Sequence, residues 1–300
     1  MQSDKSFDKD SPVNVIILAL VLCVVCSLVV STAAVGLRSL QDANVLLDKR
    51  ANILSVAGFV DVASADINDI FGKRFTVELI DMDTGMPAAK EAMEAMKAAG
   101  KEYADEEETI AKYDQIWASK SKKPSVSDQL EKADDKTLIK YREKFSHVYV
   151  LKSEDGSSVE KYVFPVRGYG LWSMMKGYLA VEPDLQKIAG LTFYEHGETP
   201  GLGGEIKSER FKSQWPGKQI YGEDGTVCVQ VLKSAPKDPY CIDALSGATI
   251  TSTGVSNMMQ YWMGPNGFGP YIEKRKGKAE TTMIKSGAVS YTHLTLPTKA

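Results

Sequence analysis

Val148-Tyr149-Val150-Leu151, Glu154-Asp155-Gly156 and Lys161-Tyr162-Val163-Phe164-Pro165-Val166 follow one another along the chain. Two runs rich in β-branched and aromatic residues, separated by a turn signal, predict an antiparallel hairpin. Working outward, residues 178–181, 191–194 and 227–232 have the same strand composition, and residues 75–80 alternate as a strand does. Crossover helices between these runs are scarce. The expected class is therefore α+β, mainly antiparallel sheet with flanking helices. No internal repeat is visible.

Helices are predicted around this sheet. Val255, Met258, Met259 and Trp262 fall at i, i+3, i+4 and i+7 before Gly264-Pro265, which marks one amphipathic helix with Thr251, Ser252 or Thr253 as candidate N-cap. Residues 39–57 are periodic up to Gly58, and residues 66–71 form a short helix ended by Gly72. Residues 88–141, rich in Lys, Glu, Asp and Ala, read as exposed helices of an insertion or cap without evident chemistry.

At the N-terminus, residues 11–37 carry no charge and residues 13–30 are dominated by Val, Ile, Leu, Ala and Cys. A hydrocarbon core is crossed by about 20 apolar residues, so residues 13–36 are predicted to form a transmembrane helix preceded by a short segment 1–12. A cleaved signal is the competing reading, because Ser31-Thr32-Ala33-Ala34 offers small residues at a cut site. Lys5 and Lys9 precede the span while Arg38, Lys49 and Arg50 follow it, so the positive-inside rule leaves its orientation open.

Composition narrows the function classes. A net charge of -3 over 300 residues gives no electrostatic case for nucleic acid. Cys23 and Cys26 lie inside the apolar run and read as packing residues; a disulfide between Cys228 and Cys241 is left open. Three scattered histidines and four cysteines without iron–sulfur spacing predict no metal site, and no Gly-x-Ser-x-Gly elbow is present.

The chemistry-bearing stretch is Asp243-Ala244-Leu245-Ser246-Gly247-Ala248-Thr249-Ile250-Thr251-Ser252-Thr253. A tight Ser-Gly-Ala turn feeding a helix points free N–H groups and the positive dipole end at one spot, which suits a phosphate. Gly247 and Ala248 allow close approach, and the Thr249 hydroxyl lies beside that seat. The bland alternative is a helix capped by small hydroxyl residues. A second segment, His196-Gly197-Glu198-Thr199-Pro200-Gly201-Leu202-Gly203-Gly204-Glu205, is a loop able to lie against a planar ring and offer N–H donors to its edge. Ile206 stands where the last Gly of G-x-G-x-x-G belongs, so it is no dinucleotide fingerprint. A third, Arg167-Gly168-Tyr169-Gly170-Leu171-Trp172-Ser173, interleaves glycines with aromatics and reads either as a wall for a ring or as a hairpin end. Lys207 either adds positive charge near a bound ring or is an ordinary exposed lysine.

These motifs carry a resemblance. Asp243 with Ser246–Thr249 matches the Asp-x-x-Ser-Gly-Ala-Thr pattern recognised by flavin transferases, and residues 196–203 are similar to the other hallmark of the FMN-binding domain family. Val35-Gly36-Leu37-Arg38 and Gly168-Tyr169-Gly170-Leu171-Trp172-Ser173 resemble the C subunit of bacterial sodium-translocating NADH:quinone oxidoreductases, over residues 11–278. The resemblance implies covalent FMN, a phosphoester to Thr249, with Thr251 the rival attachment site. It implies flavin contacts from Ser246, Gly247, Ala248, Thr251, Glu198, Thr199, Gly201, Leu202, Gly203, Gly170, Leu171 and Trp172. It further implies a separate flavin transferase that uses FAD and magnesium and reads Asp243, partner subunits of a membrane redox complex, and a single-pass bacterial inner-membrane protein with its main domain periplasmic. No catalytic residue of its own is expected; the chain relays single electrons toward ubiquinone. The implied layout is a cytoplasmic N-terminus 1–12, the transmembrane helix 13–36, a helical charged region 37–145 packed with the flavin domain, and an FMN-binding domain 146–279. Residues 280–300, with Ser290-Tyr291-Thr292-His293-Leu294, read as translated adapter or vector sequence.

Rival readings are the FMN-carrying subunit of an Rnf-type electron-transport complex, a flavin module of another membrane system, and a non-redox, membrane-anchored interaction domain. The long charged segment 88–141 favours the quinone-reductase reading over the Rnf type.

Overall fold

The computed structural model describes residues 12–285. Helix α1 (Pro12–Ala57) opens it. Packing divides the chain between Arg50 and Ala51. In the first unit the 27 residues Pro12–Arg38 include an 18-residue stretch with a mean hydropathy of 3.1, none of it buried in protein. At 1.5 Å per residue they extend about 40 Å, enough for a bilayer core. This helix fits a membrane anchor. Residues 1–11 lie outside the described residues, as do 286–300, where most of the adapter-like tail falls.

The second unit begins with the last turns of α1, where Ile53 and Leu54 are 0% and 1% exposed and Gly58, at φ 101°, ends the helix in the left-handed region. Helix α2 (Ile67–Arg74) does not stop at Gly72 as expected: it continues to Arg74, with Lys73 and Arg74 placed at the negative end of its dipole, and passes directly into strand β1 (Phe75–Asp81).

Then comes the insertion: helices α3 (Ala89–Ala98) and α4 (Glu106–Lys120), followed by the two-stranded ribbon of β2 (Ser127–Gln129) and β3 (Tyr141–Glu143). Its helices are not wholly exposed. Ala92, Met96 and Tyr113 pack with Leu79 and Phe145 in a small core of their own. Composition hides this, because a single stripe of small and aromatic residues buries one face of an otherwise charged helix.

The hairpin read from residues 148–166 is present as β4 (Phe145–Lys152) and β5 (Val159–Tyr169), paired antiparallel with Tyr149 opposite Val163. Strands β6 (Met174–Val181) and β7 (Ile188–Glu195) extend it, giving one five-stranded antiparallel sheet in the order β1-β4-β5-β6-β7. The fold is thus α+β with mainly antiparallel sheet. Its edge strand β1 comes from the segment 37–145, so the sheet draws on both sides of residue 145.

After β7 the chain makes a 3-10 turn (Gly203–Lys207) and the single turn α5 (Glu209–Lys212). The strand expected at 227–232 shortens to β8 (Gln230–Leu232), paired parallel with β9 (Cys241–Asp243). Val227 is drawn instead into a bridge with Tyr221. Helices α6 (Thr249–Met263) and α7 (Gly269–Lys285) close the chain, α7 reaching into the segment read as non-native. One face of the sheet (Val148, Val150, Phe164, Val166, Leu179) packs on Val255, Met258, Met259 and Trp262 of α6, all four of them 0% exposed. Each such side chain contributes about 1.5–3 kcal/mol by leaving water.

Cys228 and Cys241 are free thiols. Cys241 donates to Asp238 Oδ2 at 3.2 Å, and burial together with that carboxylate raises its pKa.

Candidate functional site

Helix α6 is laid against the end of β5 at three successive contacts. Trp262 Nε1 donates to Arg167 O at 2.6 Å. A Cβ on Gly168 would sit 3.3 Å from Met258 Cβ, and a Cβ on Gly254 would meet Tyr169 O at 2.3 Å. Only glycine at 254 lets the helix backbone approach Tyr169 so closely. These contacts bring the first turn of α6 beside the loop 170–173.

That first turn differs from the expected one. The helix starts at Thr249, and its N-cap is Ala248, which has no side-chain acceptor. Thr251, Ser252 and Thr253 are therefore helical residues, not caps. The first two are buried, at 1% and 2% exposure. Ser252 Oγ instead accepts from Leu245 N at 3.1 Å, which ties back the turn leading into the helix. Gly247, at φ 74°, makes that turn, and a Cβ there would come within 3.0 Å of Leu202 Cδ2. With no side chain spent on them, the first N–H groups of α6 face outward at the positive end of its dipole. Ser246, Gly247 and Thr249 are exposed, and among the described residues no hydrogen bond engages the Thr249 hydroxyl.

Glu198 joins all three motif segments. It is 4% exposed. Its carboxylate accepts from Leu171 N (3.1 Å), Trp172 N (2.9 Å) and Ser173 N (3.1 Å), and from Thr251 Oγ1 at 2.6 Å. Burial pushes its pKa up, but the Thr251 hydroxyl and the three backbone N–H groups outweigh burial and hold it below the usual carboxylate range. The carboxylate is therefore a charged tie between loops, and it has no free edge for a ring. The loop donors are partly spent as well: Leu202 N and Gly204 N both donate to Thr199 O. Small residues fit around this tie, since a Cβ on Gly203 or Gly170 would lie 2.6 Å from Thr251 Oγ1 or 2.7 Å from Glu198 Oε1.

The outer surface over this tie is apolar and open. Leu171 is 47% exposed, Trp172 68%, Leu202 44% and Ile250 57%. An exposed apolar cluster beside an outward-pointing helix N-terminus can take a ligand with a flat apolar ring and an anionic tail. Of the residues singled out from sequence, Ser246–Thr249, Glu198–Gly203 and Gly170–Trp172 come together here. Sequence reasoning missed Ile250, an apolar residue out of phase with the buried stripe, and Ser173, whose Oγ accepts from Gly197 N at 2.6 Å.

Asp243 stands to one side. It lines an open cleft with Arg210, Gln214, Leu202 and Ser246, and its Oδ1 accepts a long bond from Ala235 N at 3.3 Å. Lys207 is exposed, with Nζ 3.4 Å from Tyr194 O. His196 Nδ1 accepts from Glu198 N at 3.3 Å. Burial first, then Lys207, depress the His196 pKa against the opposing pull of Glu198. Among the described residues no group of three His, Cys, Asp or Glu side chains is placed to hold a metal.

Comparison with known proteins agrees with this geometry. Residues 170–264 match the FMN-binding domain family. The chain is 37% identical to the C subunit of the Na(+)-translocating NADH-quinone reductase of Yersinia pestis, covering 91% of this chain and 97% of that one. It is 39% identical to the corresponding protein of Neisseria meningitidis serogroup A, again over 91% and 97%. Its structure is similar to the crystal structure of Shewanella oneidensis NqrC, with a TM-score of 0.65 at 31% identity over 77% of this chain and 97% of the other. The chain belongs to the NqrC family, the C subunits of Na(+)-translocating NADH-quinone reductases.

Proposed function

We propose that this chain is the FMN-carrying, one-electron relay subunit of a sodium-translocating NADH:quinone oxidoreductase, passing electrons between other centres toward ubiquinone, with the flavin held as a phosphoester on Thr249. One observation carries the attachment: of the two rival threonines, Thr251 is buried with its hydroxyl given to Glu198, whereas Thr249 is exposed at the first position of α6. The apolar cluster Leu171, Trp172, Leu202 and Ile250 and the α6 N-terminus fit the ring and the phosphate respectively. When bound, FMN supplies the one-electron chemistry through its isoalloxazine ring.

The chain's own residues hold and place that group. N–H groups of the first turn of α6 receive the phosphate charge. Gly247 keeps the approach to it open. Glu198 fixes the two ring-facing loops relative to the helix. Among the described residues no base is hydrogen-bonded to the Thr249 hydroxyl, and His196 Nδ1 accepts from Glu198 N. A separate transferase would supply that base, with the Thr249 hydroxyl as the group that would receive the flavin phosphate. Asp243, at the open cleft beside Ser246, is the residue such an enzyme and its magnesium would read. Partner subunits supply the donor and acceptor. The apolar part of α1 anchors the chain in the bacterial inner membrane with the folded unit on the periplasmic side.

The test uses the full chain expressed with a flavin transferase. Intact mass is expected to show one FMN adduct, peptide mapping to place it on Thr249, Thr249→Val to lose it, and Thr251→Val to keep it. A bare polypeptide mass for the protein taken from its native membrane complex would overturn the reading.

A further inference from the structure

The inserted segment meets Arg167 through Trp117, Tyr141 and Glu143, and it reaches Tyr169 and α6 through the loop 131–140 between β2 and β3. Asp135 lies inside it at 6% exposure. Its carboxylate accepts from Thr137 Oγ1 (2.9 Å), Ile139 N (3.1 Å) and Lys140 N (2.7 Å). Leu138 and Lys140 are both left-handed, at φ 57° and 63°, a conformation that side-chain-bearing residues adopt only when their surroundings impose it. Asp135 imposes it here, because each of its bonds closes back on this short stretch.

What the imposed shape presents is directed away from the insertion. Thr137 O accepts from Tyr169 N at 2.9 Å, and Lys136 O accepts from Asn257 Nδ2 at 3.1 Å. A Cβ on Gly168 would lie 3.7 Å from Thr137 Cβ. Tyr169 leads directly into Gly170-Leu171-Trp172, and Asn257 lies on α6, the helix that begins at Thr249. The loop therefore grips both the strand end that carries the ring-facing residues and the helix that carries the attachment hydroxyl. Leu138, 53% exposed, is carried on the same loop.

We infer that Asp135 is a positioning residue for the flavin: it holds loop 131–140 as a brace that sets the loop 169–172 against α6, and so sets the environment of the ring rather than its attachment. The inference rests on the flavin reading above. Attachment depends on Asp243–Thr249, which the brace does not touch, so the two claims separate experimentally.

The full chain, co-expressed with a flavin transferase, is compared with Asp135→Ala and Asn257→Ala. Both variants are expected to carry the FMN adduct at the wild-type level by intact mass. Both are expected to lose part of the visible circular dichroism induced in the bound flavin and to show a shifted flavin midpoint potential, Asp135→Ala more than Asn257→Ala. Should Asp135→Ala fail to fold, Asn257→Ala decides alone, since it removes one bond from a half-buried side chain. Dichroism and potential equal to wild type in the folded variants overturn the brace. An absent adduct in the wild type sinks the flavin reading instead.

Discussion

At its N-terminal end α6 leaves Thr249 in solvent and Ile250 57% exposed, whereas toward its C-terminal end Met258, Met259 and Trp262 are 0% exposed. The same helix is open to a ligand at one end and buried for cohesion at the other. The exposed end has no side-chain cap and no hydrogen bond on its first hydroxyl, both of which leave groups available to a ligand. The buried end fills the space over the sheet and donates from Trp262 to Arg167 O. The boundary between these ends falls at Thr251, where a buried hydroxyl is spent on Glu198. The proposed attachment site thus occupies the part of the helix that contributes least to the fold.

Four substitutions test that contrast. The largest effect is expected at the buried end. Trp262→Ala should cost about 3–5 kcal/mol in denaturant unfolding, through the cavity it leaves and the orphaned Arg167 carbonyl. A much smaller loss would mean that the core over β5 is looser than the burial indicates.

Glu198→Gln comes next. It leaves backbone donors poorly matched and should cost about 1–3 kcal/mol at neutral pH. Because the folded-state pKa of Glu198 is depressed, its contribution is complete above the unfolded carboxylate value and is lost as pH falls through the folded one. Wild type should therefore lose stability more steeply than Glu198→Gln below about pH 4.3, the unperturbed glutamate value. Parallel stability curves for the two proteins would remove the charged tie from the account.

Gly254→Ala tests the close approach to Tyr169. The added methyl meets a carbonyl oxygen and costs about 1–3 kcal/mol, offset in part by the better helix propensity of alanine, worth about 1 kcal/mol. A midpoint above wild type would show that α6 can move off β5 without penalty. The smallest effect on stability belongs to the exposed end. Thr249→Val should change unfolding free energy by less than about 0.5 kcal/mol while abolishing the flavin adduct.

The strands β4 to β7 and the buried stripe of α6 were legible because each depends on local alternation or helical period. The helix start was misplaced because three consecutive hydroxyl residues all look like caps in one dimension. Two of them turn inward: Thr251 to Glu198, and Ser252 to Leu245 N. The role of Glu198 was illegible for a related reason. Its partners lie 25 to 53 residues away, and a carboxylate in a glycine-rich loop otherwise looks solvent-facing. Asp135 was hidden within a charged segment whose composition suggested only surface.

Local pattern alone was enough to predict the anchor-like first helix and the antiparallel sheet, since apolar period and strand alternation are properties of neighbouring residues, while the three motifs were grouped by their resemblance to one family. Tertiary structure alone decided which threonine is open, which carboxylate is buried, and that a loop of the insertion reaches the site. Those outcomes depend on hydrogen bonds between segments far apart in the chain, and burial makes each such bond costly to leave unmade.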